Sequence, residues 1–253
     1  MSTSAVASSN YTGKNLLINS GFIINNGNAG VPYVSAATLI SGATGHECWK
    51  AGTGGGDYSF TQLKSNTQIT ISASKTLIQV IEDVNVQGTT YTLSWTGTTQ
   101  ARYAVNSATP SGSYVSSPIV ITGQTVGTTM SVEFNAGTLS NPQLELGTVA
   151  TGYSYKSYQQ ELQLTQRYAE IFWSNAFGVT FVGQYTNPTS FWNNFEFKQA
   201  KRAIPTFTLV NGTWTVSTPN VYPTVDGLTF YYSTSFYLTT TANLVAAMAT
   251  ARL

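Results

Sequence analysis

The residues from Pro142 to Glu170 constrain this chain more than any others. Leu144 and Leu146 alternate with Gln143 and Glu145, the two-residue period of a strand that buries one face, and Gly147 closes it. Ten residues on, the period lengthens. Ser157 followed by Gln160 is a capping-box pair. Tyr158, Leu162, Thr165 and Ala169 then recur at steps of four, three and four, a helical stripe. No other stretch reads as a persuasive helix. Strand pattern lies on both sides, which predicts an all-β chain whose two domains are joined by a short helix. The boundaries read as an N-terminal arm over 1–14, a β domain over 15–150, a linker and helix over 151–172, and a second β domain over 173–253.

A chain of 253 residues is long enough for two modest domains with real cores. Only 8% of its residues are charged, against roughly a quarter in ordinary soluble domains. Such a chain needs β structure with hydroxyl- and amide-rich faces, partly hidden between subunits. The formal net charge is +1 and no basic stripe exists, so nucleic acid is excluded as a partner. The single cysteine, Cys48, cannot make an internal disulfide. The first ten residues lack the basic and apolar regions of a signal peptide. No apolar run approaches the roughly 18 residues of a membrane span. Synthesis in a cytoplasm without membrane insertion is the expectation.

Along the chain, Asn15 to Asn19 is a short apolar run, and 42–56 is glycine-rich around His46, Glu47, Cys48 and Trp49. Leu77 to Val84 reads as a strand. From Thr90 to Trp95 the alternation is regular, with Tyr91, Leu93 and Trp95 inward and Thr92 and Ser94 outward. A strand over 114–122 is interrupted by Pro118, which places it at an edge. Met130, Val132 and Phe134 form another inward row. Short strands at this spacing predict a β-sandwich. Beyond the helix, 178–185, 190–198 and 228–240 read as strands. Asn211–Gly212 supplies the two residues of a tight turn, predicting a hairpin over 207–217 with Leu209 opposite Trp214 and Phe207 opposite Val216.

Several of these stretches resemble one family. "QLELGTVATGYSYKSYQQELQLTQRYAE" is similar to the junction in tail-fibre and receptor-binding proteins of tailed bacteriophages, where a strand "QLELG-x-x-AT" precedes a helix "Y-x-x-E-L-x-L-C-Q-R-Y-Y". The helix matches at Tyr158, Glu161, Leu162, Leu164, Gln166, Arg167 and Tyr168. It departs at Thr165, where Cys is usual, and at Ala169, where Tyr is usual. "NLLINSGF" resembles the opening of that family's jelly roll, and "IQVIEDVNVQGTTYTLSW" resembles its middle strands. The resemblance implies an N-terminal jelly-roll β-sandwich, a short linking helix and a small C-terminal β-sandwich-like tip domain. It also implies a homotrimer. Leu164 and Tyr168 form a second stripe, offset from the first by roughly half a turn at about 100° per residue, and are the expected trimer interface.

Catalysis finds little support in the residues. His46 is the sole histidine, and no Gly-x-Ser-x-Gly elbow accompanies it. The expectation is a structural histidine beside a core tryptophan. His46, Glu47 and Cys48 lack a second Cys or His for zinc, so no metal site and no cofactor are expected. The 52–57 loop lacks the Lys-Ser/Thr of a phosphate-binding loop. Glycoside cleavage needs two facing carboxylates, and the adjacent Glu82 and Asp83 would point apart on a strand. Binding is what remains. Sugar rings suit exposed aromatic platforms ringed by amides and hydroxyls. The candidate carbohydrate-binding residues are Tyr185, Trp192, Asn220 and Tyr222, with Tyr185 and Tyr222 expected on loops. Together with the resemblance, this predicts a non-enzymatic virion protein of tail-fibre type, made in a bacterial cytoplasm. Its partners would be host surface polysaccharide and other virion proteins such as a fibre shaft, baseplate or capsid. The alternatives are a structural head or baseplate fibre and a polysaccharide depolymerase.

Overall fold

The computed structural model describes residues 14–27, 31–174, 184–187, 190–210, 213–214, 220–232, 238–239 and 246–253. Among them the chain is predominantly antiparallel β, with one α-helix. The N-terminal part contains β1 (Lys50–Ala51), β2 (Tyr58–Phe60), β3 (Ile69–Ile71), β4 (Leu77–Ile81), β5 (Thr90–Gly97), β6 (Ala101–Ala104), β7 (Ser111–Val115), β8 (Ile119–Thr122), β9 (Met130–Phe134) and β10 (Gly137–Leu146). These form two five-stranded sheets, ordered β1-β4-β9-β6-β7 and β2-β3-β10-β5-β8. Both sheets supply side chains to one core, including Leu77, Val132 and Phe134 from the first and Ile69, Leu93 and Leu144 from the second. We call this unit the two-layer body.

Pattern explains most of these strands. In β5 the residues Tyr91, Leu93 and Trp95 are buried in the core as the alternation requires. Trp49 is buried there too, and its indole N–H donates to the carbonyl of Asn19. The stretch read as one strand over 114–122 is two strands, β7 and β8. They are edges of different sheets, so Pro118 lies where the chain passes between layers.

The 15–19 run forms no strand. It is a buried knot in which the Asn15 and Asn19 side chains replace ladder partners. The Asn15 amide oxygen accepts from the backbone N–H of Leu17 and Leu144, and its nitrogen donates to the Pro142 carbonyl. Asn19 accepts from the N–H of Ile23 and Ile24 and donates to the carbonyls of Ile24 and Glu47. Buried backbone groups need such partners where no sheet supplies them.

β10 departs from its expected half-buried state. Leu144 is in the core, but Gln143 and Glu145 on the other face are equally buried, while Leu146 is half exposed. Residues 147–156 fold back over this polar face as a strap. Glu145 accepts from the N–H and hydroxyl of Thr151 at 2.8 and 2.7 Å, Gln143 accepts from the Ser154 N–H at 2.6 Å, and the Lys156 ammonium donates to the Leu17 carbonyl at 2.8 Å. Thr92, expected outward, is buried by the same strap and donates to the Gly147 carbonyl.

Helix α1 (Tyr158–Gln166) begins as the sequence predicts. Ser157 accepts from the Gln160 N–H, and the Gln160 side chain accepts from the Ser157 N–H at 2.8 Å. Of the expected stripe, Thr165 and Ala169 are buried, Leu162 is partly buried and Tyr158 is half exposed, while Glu161, outside the stripe, is buried as well.

The C-terminal part contains β11 (Ala169–Ser174), β12 (Gln184–Asn187), β13 (Ser190–Glu196), β14 (Thr206–Val210), β15 (Thr213–Trp214), β16 (Asn220–Pro223), β17 (Gly227–Tyr232), β18 (Leu238–Thr239) and β19 (Ala246–Thr250). They form sheets ordered β11-β19-β14, β12-β13-β17-β16 and β15-β18. The turn of the hairpin expected across Asn211–Gly212 lies outside the described residues. β14 pairs with β19 and β15 with β18, in separate sheets. Phe207 instead meets Phe230 edge-on, with centroids 5.2 Å apart. Val216 lies outside the described residues. Within this part Lys201 is fully buried, paired to Glu170 at 2.9 Å and set 4.2 Å over the Phe197 ring.

Candidate functional site

The four-stranded sheet has one apolar and one polar face, and strand register sorts them. Gln184, Trp192, Tyr231 and Asn220 occupy directly paired positions across β12, β13, β17 and β16. Two residues along, Asn194, Thr229 and Tyr222 form the next row on the same face. The alternate positions, among them Phe195, Leu228 and Phe230, share the opposite face. Leu228 and Phe230 are buried, and Phe195 meets Phe230 edge-on at 5.6 Å.

The polar face looks to solvent. Asn194 and Asn220 are exposed, and Tyr222 keeps 51% of its surface accessible. Thr229 donates to the Asn194 side-chain oxygen at 2.8 Å, which ties β17 to β13 across the face. Paired positions on neighbouring strands lie about 5 Å apart and alternate positions about 7 Å apart along a strand. This is the scale of a single pyranose ring. The face therefore sets a phenol ring among amides and a hydroxyl at sugar spacing, and the next position of β13 on the same face is the exposed carboxylate of Glu196.

Of the residues named from sequence, Asn220, Tyr222 and the Trp192 position share this face. Tyr222 lies on strand β16 rather than on a loop. Tyr185 is also in a strand and not a loop. It pairs with Phe191, a register position that alternates with the Gln184–Trp192 row. Thr229 was not singled out from sequence. Its place follows only from the pairing of β17 with both neighbours.

The two residues expected at a subunit interface part company. Leu164 is 38% exposed. Tyr168 is buried within the chain, where its hydroxyl donates to Glu82 at 2.9 Å. The same carboxylate receives two N–H groups of Arg167 at 2.9 and 2.8 Å. Tyr168 is thus a member of an intramolecular cluster and is not available to a second copy.

His46 is buried, with Nδ1 2.7 Å from the Tyr58 hydroxyl and Nε2 2.9 Å from the Gln62 side-chain oxygen. Phe22 stands between it and Trp49, in contact with both rings. Burial, opposed in part by the Gln62 hydrogen bond, lowers its pKa to about 4. Glu47 forms a two-point pair with Arg252 at 2.9 and 2.6 Å. Burial, reinforced by nearby Glu47, pushes the Cys48 thiol well up. Among the described residues no three His, Cys, Asp or Glu side chains gather as metal ligands, and no helix is long and apolar enough to cross a membrane.

Compared with known proteins, the chain matches no family model, no curated protein and no solved structure.

Proposed function

We propose that this chain is a non-enzymatic glycan-binding protein of a bacteriophage virion, of tail-fibre type, that attaches to host surface polysaccharide. The observation that carries the binding assignment is the solvent-facing set of Asn194, Thr229, Asn220, Tyr222 and Tyr231 on one sheet face. Aromatic rings meet the apolar faces of sugars and amides meet their hydroxyls. The assignment to a virion rests on the resemblance of residues 142–170. The strand orders β3-β10-β5-β8 and β4-β9-β6-β7 support a jelly-roll reading of the two-layer body. The polar sheet then belongs to a distal tip domain over 173–253. A threefold assembly is part of the same proposal, with Leu164 as its remaining contact.

Binding is favoured over depolymerisation by what the carboxylates do. Six of the ten acidic residues are buried: Glu47, Glu82, Glu133, Glu145, Glu161 and Glu170. Each is held by internal donors, namely Arg252, Arg167 with Tyr168, Arg102, Thr151, the Asn19 N–H and Lys201 respectively. A hydrolase needs two carboxylates open to a sugar.

A glycan array probed with the wild-type chain and with Tyr222→Ala tests the site. Loss of one stacked ring is expected to weaken binding about tenfold, or ~1.4 kcal/mol. The melting temperature should move little, because Tyr222 is exposed. Equal loss of binding and stability would make Tyr222 a packing residue and remove the site. Antibody labelling of intact particles tests the virion assignment. Release of reducing sugar from host polysaccharide would overturn the non-enzymatic one.

A further inference from the structure

Charge is scarce in this chain, yet much of it gathers where the C-terminal part meets the two-layer body. Glu82 follows β4 on the outer side of the first sheet and holds Arg167 at two points and the Tyr168 hydroxyl. Arg202 stands 3.9 Å from the same carboxylate. Glu47 holds Arg252 at two points, and Arg252 also donates to the Gly27 carbonyl at 2.8 Å. The Lys50 ammonium donates to the Leu253 carbonyl at 3.1 Å. Glu161 of α1 accepts from the Asn19 N–H at 2.7 Å and lies 4.0 Å from the Lys156 ammonium. Apart from the Lys156–Glu161 pair, these contacts join residues 85 to 225 positions apart in sequence. Between them lies a cleft lined by Ile18, Cys48, Lys50, Tyr168, Arg252 and Leu253, among others.

We propose that this seam is an acid-released latch: protonation of Glu82 frees the C-terminal β part from the two-layer body while both stay folded, and the Glu47–Arg252 pair is the second contact that must part. Seams joined by apolar surface do not respond to pH in this way. A seam joined by carboxylate–guanidinium pairs does, because a neutral carboxyl accepts only weakly from guanidinium.

The groups facing each carboxylate set the order of events. Around Glu82 are Arg167, Tyr168 and Arg202. Burial alone would raise this carboxyl, but hydrogen bonds from Arg167 and Tyr168 outweigh it and leave the pKa below the ordinary value. A depressed carboxylate stabilises the closed state above its unfolded pKa and loses that effect as pH falls through the folded one. Around Glu47 are Arg252, the Asn26 amide at 3.5 Å and the Cys48 N–H at 3.4 Å.

Glu161 works in the opposite sense. Burial raises it, opposed by Lys156 and the Asn19 N–H. It is protonated before Glu82 on acidification, and that protonation favours the docked state. A neutral Glu161 still accepts from Asn19.

Cys48 is the sole cysteine and lines the cleft with Tyr168, Arg252 and Leu253, so it reports opening directly. Its reaction with a dipyridyl disulfide, a reagent that works at acid pH, is measured in the native chain and in the denatured chain at each pH. The ratio is the protection. From pH 7 to pH 3.5 protection is expected to fall at least tenfold while far-ultraviolet circular dichroism and tryptophan emission hold. Glu82→Gln with Glu47→Gln should reproduce that fall at pH 7, and Arg252→Gln should produce part of it. Unchanged protection in the folded double variant would overturn the latch. So would protection lost at acid pH only together with the dichroism. Glycan binding at pH 7 does not enter the readout, so the latch and the proposed function stand or fall separately.

Discussion

His46 sits among Phe22, Tyr58 and Phe60 with both ring nitrogens hydrogen-bonded to neutral partners. Its pKa of about 4 in the folded chain against 6.5 unfolded has a definite consequence. The unfolded chain takes up a proton near pH 6.5 and the folded chain only near pH 4. The stabilisation is complete above pH 6.5 and is lost progressively down to pH 4, about 3 kcal/mol in all. Calorimetric melting at steps between pH 7 and pH 4 should fall on the order of 10 °C from this group. His46→Gln, which cannot titrate, should flatten the slope between pH 6.5 and 5 even if it melts lower throughout. An unchanged slope would mean that His46 is reached by solvent. The sequence made a structural histidine legible, because nothing else could complete a catalytic or zinc set. It did not reveal Tyr58 and Gln62, which come from twelve and sixteen residues away.

Local elements were legible where local physics decides them. The capping box at Ser157 and Gln160, the β5 alternation and the stop at Gly147 follow from neighbouring residues alone. Gly147 takes φ +107°, which side chains resist. Elements failed to be legible where a distant segment decides them. Gln143 and Glu145 look like a solvent face until the strap covers them. β14 pairs with β19 at five positions and meets Phe230 through Phe207, which no local pattern announces. Tyr168 fits an apolar stripe in sequence, while its hydroxyl has a buried carboxylate to meet. The strap carries its own test. Trypsin at Lys156 and chymotrypsin at Tyr153 should leave the wild-type chain uncut there. Glu145→Ala removes the acceptor of both Thr151 bonds, at a cost of roughly 1–3 kcal/mol, and should open both sites. Equal cutting of wild type and variant would show that the strap is loose already.

At the scale of the molecule, buried carboxylates leave a surface with very little charge, and Leu164 is one of its exposed apolar points. Symmetric copies are the commonest cover for such a surface. Light scattering on a sizing column should give three times 27.1 kDa, and Leu164→Asp should lower that fraction. A mass of 27.1 kDa at micromolar concentration would sink the trimer. The order of the three-stranded sheet bears on how the chain is made. β19 lies between β11 and β14, and neither of those pairs with the other. During synthesis both must wait, with open edges, for a partner encoded 72 residues after β11 ends (246 − 174). The two-layer body waits only for β10, which ends at Leu146. Growth of the chain on the ribosome therefore completes the body first, and the C-terminal sheet closes in one late step, when residue 250 has emerged.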